Sequence, residues 1–253
     1  MREPDRAFAD PRLALLYDDL ESDRSDLSAY VALAAELEAR TVIDIGCGTG
    51  SLAVLLAAQG LDVVGVDPAL ASLEVARRKP HADQVNWIAG DATSLLGRGL
   101  QSDLAVMTGN VAQVFVTDDD WNATLAAVRA SLRPGGWFVF ETRRPDARAW
   151  EGWGWTDQDV ALPDGRTARL SMTVTEVALP LVSFEAVTVV AGQELPSSST
   201  LRFRERTEVE DDLARHGFQV MAVRDAPDRP GQEHVFLARR TASEEAQQAG
   251  PPK

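Results

Sequence analysis

The sequence predicts a doubly wound α/β fold, a mostly parallel sheet of seven strands with helices on both faces and an antiparallel β insert after the fifth strand. Three observations lead there. Short β-branched runs alternate with helix-period stretches between Thr41 and Glu141. A glycine-rich turn follows the first of those runs at once. After Glu141 the period drops to two, and helical spacing returns only near Thr207.

The elements follow in order. Leu27, Tyr30, Val31 and Ala34 recur at helical spacing behind Ser25 and Asp26, both capping residue types. Thr41 to Ile45 is the first strand, and Ser51 to Gln59 a helix that Gly60 ends. Val63 to Val66 is the second strand, and Ala69 to Arg78 a helix closed by Pro80. Val85 to Ala89 and Asp103 to Met107 are the third and fourth strands. Asp118, Asp119 and Asp120 suit the positive end of a helix that carries Trp121, Thr124, Leu125 and Val128 on one face. Pro134-Gly135-Gly136 breaks it before a fifth strand, Trp137 to Glu141.

Beyond that strand, Ala168, Leu170, Met172 and Val174 alternate with polar residues, and Leu181 to Val190 and Thr200 to Arg206 are further strands. Thr207 and Glu210 read as a capping box for a helix ending near His216-Gly217. Phe218 to Val223 and His234 to Ala238 complete the sheet. The expected organisation is a helical cap over 1–40, an α/β core over 41–145, and an aromatic loop with the antiparallel insert over 146–206. A closing helix and strands over 207–240 and a disordered tail over 241–253 follow.

Composition narrows the function. A net charge of −14 argues against the nucleic-acid backbone as main partner, because binding it needs neutralising cations. Arg202, Arg204 and Arg206 form a short basic run that reads as a solvated strand face. No apolar run reaches the roughly 18–20 residues of a membrane span, and Met1 to Asp10 lacks the apolar core of an export signal. The single cysteine, Cys47, forms neither an internal disulfide nor a thiolate metal site alone, which points to a reducing cytoplasm. No metal is expected.

The chemistry concentrates in Val42-Ile43-Asp44-Ile45-Gly46-Cys47-Gly48-Thr49-Gly50. Glycines let a ligand approach the backbone, and the helix N-terminus beyond them offers free N–H donors. A dinucleotide fingerprint would need glycine where Ser51 stands. Asp44 at the strand end would repel a pyrophosphate and suits a ligand bearing an ammonium group; the plain alternative is a tight strand-to-helix turn. Asp67 ends the second strand, where a carboxylate accepts hydrogen bonds from ribose hydroxyls or caps the helix behind Pro68. Asp91 follows the third strand in Gly90-Asp91-Ala92, as an adenine contact or a turn residue. Carboxylates at the ends of three successive strands lie where open parallel sheets bind ligands.

Together with Val64-Gly65-Val66-Asp67 and Leu132-Arg133-Pro134-Gly135-Gly136, these motifs make residues 41–144 resemble the class I S-adenosylmethionine-dependent methyltransferases of small-molecule type, a Rossmann-like family. The resemblance implies S-adenosylmethionine as cofactor and S-adenosylhomocysteine as product. It places Asp44, Gly46, Cys47, Gly48 and Gly50 in the loop around the methionine portion, Asp67 on the ribose, Pro68 or Ala69 against the adenine, and Asp91 and Ala92 at the adenine edge. Thr108-Gly109-Asn110 then falls between the sulfonium and the acceptor. The expected reaction is methyl transfer to oxygen or nitrogen of a small metabolite. The alternative is a protein of the same fold that binds the nucleoside structurally or catalyses a cyclisation.

No catalytic triad is evident, and this chemistry needs none, because the protein chiefly aligns the nucleophile. Asn110 and Glu141 are positional candidates for a proton acceptor, and Tyr17 for a lid residue or a helix-packing ring. His81, His216 and His234 lie outside the cofactor loops. Trp150, Trp153 and Trp155 either cover an aromatic acceptor or seal the insert against the sheet. Arg143 and Arg144 either meet an anionic acceptor or form an exposed pair.

Overall fold

The computed structural model describes residues 3–242, so the expected tail lies outside them from residue 243 onward. Strands β1 (Thr41–Ile45), β2 (Asp62–Asp67), β3 (Val85–Ala89), β4 (Ser102–Met107), β5 (Leu132–Arg143), β10 (Phe218–Asp225) and β11 (Glu233–Arg240) form one sheet. Its order is β3-β2-β1-β4-β5-β11-β10. Strands β1 to β5 run parallel to one another, and β11 is antiparallel to both β5 and β10. The strand order reverses direction between β1 and β4, so a crevice opens beyond the carboxyl ends of these two strands.

Period-two alternation fixes which residue faces which layer. Ile43, Ile45, Val66, Phe138, Phe140 and Phe236 pack against helices α6 (Asp118–Ser131) and α7 (Arg206–Arg215) through Trp121, Leu125, Val128 and Leu213. Their neighbours Val42, Val63, Val106, Val139 and Leu237 pack on the other face against α3 (Leu27–Glu36) and α4 (Ser51–Ala58), through Tyr30, Leu33, Leu52 and Leu56. Helix α5 (Leu70–Ala76) crosses from β2 to β3.

A second, antiparallel sheet follows β5 in the order β6 (Trp155–Ala161), β7 (Thr167–Ala178), β8 (Leu181–Val190) and β9 (Gln193–Arg202). Strand β6 is absent from the sequence reading, and β9 starts well before the expected Thr200. Helix α2 (Pro11–Leu20), just after the short α1 (Arg6–Ala9), joins this sheet. Leu13 and Leu16 pack with Leu162, Ala168, Val190 and Leu195. The N-terminal helices and the insert thus share a core and together roof the crevice.

Three local readings are corrected. Asp26 precedes α3 in helical conformation and makes no side-chain cap bond, so it does not cap that helix. Helix α7 starts at Arg206 behind Glu205, which puts Thr207 inside the first turn and leaves no capping box with Glu210. Arg204 does not lie on a solvated strand face: it is 3% exposed, donates to the carbonyls of Ala112 and Phe115, and lies 4.9 Å over the Trp121 ring. Two backbone oxygens and an aromatic face take up a guanidinium that the run of arginines alone would place in water.

Candidate functional site

A cavity of about 470 Å³ sits in the crevice, within the range of roughly 300–1,000 Å³ of small-molecule sites. The glycine turn forms its floor, and Asp44, Asp67 and Asp91 enter it from three strand ends. Gly46, Cys47, Gly48, Pro68, Ala92, Thr108, Asn110 and Tyr17 line it as well. Gly50 and Glu141 do not belong to the lining; each supports it from behind.

The turn needs its glycines for separate reasons. Gly46, Gly48 and Gly50 all have positive φ, of 69°, 53° and 78°. A Cβ on Gly46 would come within 2.6 Å of Val111, and one on Gly50 within 2.5 Å of Trp87. A Cβ on Gly48 would meet no protein atom within 4 Å. Gly48 therefore leaves open the space of the cavity, while Gly50 holds the loop against the core.

Each carboxylate also has a structural task. Asp67 is 7% exposed; one oxygen accepts from the Gly48 N–H at 2.8 Å and the other from the Ala69 N–H at 2.7 Å. It ties the glycine turn to the end of β2 and caps the segment before α5. Asp91 accepts from the Thr93 N–H at 2.8 Å and from the Thr93 hydroxyl. Asp44 is 2% exposed, and burial, reinforced by the negative charge of Asp67, pushes its carboxyl up to about 7. Burial likewise pushes the Cys47 thiol far above its usual range, so it stays protonated and unreactive.

Glu141 is the clearest departure from the sequence reading. It is 7% exposed, takes the Tyr30 hydroxyl on one oxygen, and accepts the Gly109 and Asn110 N–H groups on the other at 2.6 and 3.2 Å. Burial and the neighbouring Glu233 raise its pKa. Its lone pairs point at the backbone of the loop after β4 and not into the cavity. Glu141 therefore holds that loop in place, with Asn110 in the left-handed region at φ 60°. Asn110 Nδ2 donates to Glu233 at 2.8 Å, while its buried Oδ1 has no hydrogen-bond partner.

Tyr17 lines the cavity and packs with its ring 5.7 Å from that of Phe8. Trp150 is 7% exposed and meets Phe203 edge-on, and Trp153 contacts Phe184 and Phe203. These two rings seal the insert. The arginine pair divides: Arg144 is held by exposed Asp146, whereas Arg143 faces the cavity. None of the three histidines lines the cavity.

The sequence reading passed over several contributors. Arg24 lines the cavity beside Asp44, and the apolar wall from the insert comprises Met172, Phe184, Ala186 and Leu201. A polar clasp also went unnoticed. Lys79 contacts Asp18 of α2 at 2.7 Å and donates to Ser51 at 2.8 Å and Thr49 at 3.3 Å, while the Thr49 hydroxyl donates to Asp18 at 2.7 Å. Such pairings are separated by tens of residues, and no local spacing announces them. Among the described residues no helix is long and apolar enough to cross a membrane.

Residues 42–136 match the family model described as a methyltransferase domain. The chain is 29% identical over 160 residues to the cypemycin N-terminal methyltransferase of a Streptomyces species, covering 63% of this chain and 64% of that one. It is 34% identical over 113 residues to the ubiquinone biosynthesis O-methyltransferase of Bordetella avium, covering 44% and 45%. The match thus spans under two thirds of either relative. Among solved structures, the CcbJ methyltransferase of Streptomyces caelestis superposes with a TM-score of 0.77 at 21% identity, over 96% of this chain and 100% of that one. That likeness establishes a shared fold, roof included.

Proposed function

We propose that the chain is a class I S-adenosylmethionine-dependent methyltransferase that transfers a methyl group to oxygen or nitrogen of a small molecule, a reading supported by the methyltransferase-domain match over residues 42–136. The observation that carries this reading is the entry of Asp44, Asp67 and Asp91 into one cavity over an open Gly48. A cationic nucleoside fits that donor set, since acids in the lining outnumber its two arginines, Arg24 and Arg143. S-adenosylmethionine, when bound, supplies an activated methyl group whose leaving group is a neutral thioether.

The chain's own residues hold and orient. Asp44 faces the ammonium and Arg24 the carboxylate of the methionine portion, so a zwitterion meets complementary charges. Asp67 accepts from the ribose, Pro68 lies against the adenine, and Asp91 and Ala92 hold the adenine edge. Thr108 and Asn110 stand between cofactor and acceptor. Asn110, buried with its Oδ1 unpartnered, lies in the wall that orients the acceptor. The insert and the N-terminal helices cover the acceptor and exclude water. The lone buried thiol of Cys47 agrees with a cytoplasmic setting.

Calorimetric titration with S-adenosylmethionine tests the site. Asp67→Ala removes the ribose acceptor and the Gly48 contact, and should weaken binding at least tenfold, or about 1.4 kcal/mol. Gly48→Val pushes a side chain into the cavity and should abolish binding. Unaltered binding in both variants, with unchanged melting temperatures, would refute the assignment. Formation of S-adenosylhomocysteine with a mixed pool of amines and hydroxylated metabolites tests the transfer itself.

A further inference from the structure

We infer that Arg143 anchors a carboxylate of the methyl acceptor, close to the atom that receives the methyl group. This rests on the methyltransferase reading and names the substrate class of the same site.

Arg143 ends β5 and, like Asn110, lines the cavity. Its side chain is only 22% exposed. Arginine carries five N–H donors in a planar fork. Among the described residues only one hydrogen bond uses them, from Nη1 to Gln113 Oε1 at 3.0 Å. Gln113 is fully buried and is itself held through Nε2 by the Arg202 carbonyl, so this contact fixes the guanidinium's position. The Trp153 ring lies 5.3 Å from the guanidinium carbon and supports its face.

The nearest carboxylate leaves the fork uncommitted. Glu233 Oε1 is 3.9 Å from Arg143 Nε, beyond hydrogen-bond range. That oxygen already takes Asn110 Nδ2 and Arg229 Nη1, each at 2.8 Å. A guanidinium enclosed in this way, positioned from two sides and short of acceptors, favours a planar anion arriving from the cavity. Burial disfavours its charge in the absence of one.

The same geometry restricts the acceptor's shape. Glu233 touches both Asn110 and Arg143, so the two residues flank a single point in the wall. An acceptor whose reacting group lies against Asn110 and whose carboxylate meets Arg143 therefore carries the two groups a few bonds apart. The apolar surface of Met172, Phe184 and Leu201 takes the remainder. A phosphate dianion is disfavoured, because Asp5 and Asp120 also line the cavity.

The test uses the full chain saturated with S-adenosylhomocysteine, whose own binding is measured first. Anthranilate, 3-aminobenzoate and β-phenylalanine are each titrated against the corresponding primary amide, with phenyl phosphate as a further probe. At least one carboxylate should bind ten times more tightly than its amide. Arg143→Gln should bring that ratio to within twofold, Arg143→Lys should leave an intermediate value, and S-adenosylhomocysteine affinity should stay within twofold in both. The inference is overturned if no carboxylate outbinds its amide, if the preference survives Arg143→Gln, or if phenyl phosphate is the preferred ligand. A tenfold loss of S-adenosylhomocysteine affinity in Arg143→Gln would overturn it too, by assigning the residue to the cofactor. If S-adenosylhomocysteine fails to bind the unaltered chain, the methyltransferase reading falls, and the same carboxylate and amide titrations on the unliganded chain still decide the role of Arg143.

Discussion

Asp44 shows how a single side chain carries both a fold and a charge requirement. Its carboxyl titrates at about 7 in the folded chain against 3.8 for the free group. Folding therefore favours the protonated form, and this contribution to stability is full below about pH 4 and is lost as pH rises through 7. An ammonium ligand reverses the preference, because it stabilises the ionised form. Affinity for S-adenosylhomocysteine should fall as pH drops from 8 to 6, by up to about tenfold per unit below 7. Titrations of the unaltered chain and of Asp44→Asn across that range check the sign: the slope should vanish in the variant. At this scale the cavity floor was legible, since Asp44 adjoins the glycine turn and Asp67 and Asp91 each stand at the end of a short apolar run. Asp67 and Asp91 both cap the turns that follow them and also line the cavity. Glu141 was misread because position at a strand end does not reveal which way the lone pairs point, and here Tyr30 and two backbone N–H groups take them.

Among the elements, legibility tracked the strength of the period. Strands β1 and β4 are buried along almost their whole length, and the five parallel strands read as short apolar runs. Strand β6, Trp-Thr-Asp-Gln-Asp-Val-Ala, was missed because it is an edge strand with polar residues facing solvent and a register shift between Trp155 and Gln158. Strand β9 contains Pro196, and an edge position with one free side tolerates that residue where a central strand would not. Helix caps were legible only in part. The three aspartates announced α6, yet the cap is Thr117, whose hydroxyl accepts from the Asp120 N–H at 3.2 Å. Thr117→Ala should cost about 1 kcal/mol in urea unfolding, whereas Thr207→Ala, inside α7, should change stability far less. Equal losses would contradict the assigned boundaries.

For the molecule as a whole, the composition and alternation of the sequence led to the main sheet, and the comparisons agree with that fold. What they did not announce is how the cap and the insert are joined to each other and to the glycine turn. Helix α2 shares a core with the insert and is held to the glycine turn by the Lys79 clasp. Contacts between Asp18, Thr49, Ser51 and Lys79 are set by tertiary approach, and no segment of chain contains their pattern. Lys79→Met should leave the fold intact and raise both the association and the dissociation rate of S-adenosylhomocysteine in stopped-flow measurements, several-fold each, with a smaller change in Kd. A pure loss of affinity without faster association would show that the clasp shapes the bound site only. Since Lys79 lines no part of the cavity, such a result would place control over the exchange of a bound nucleoside at a position the ligand does not touch.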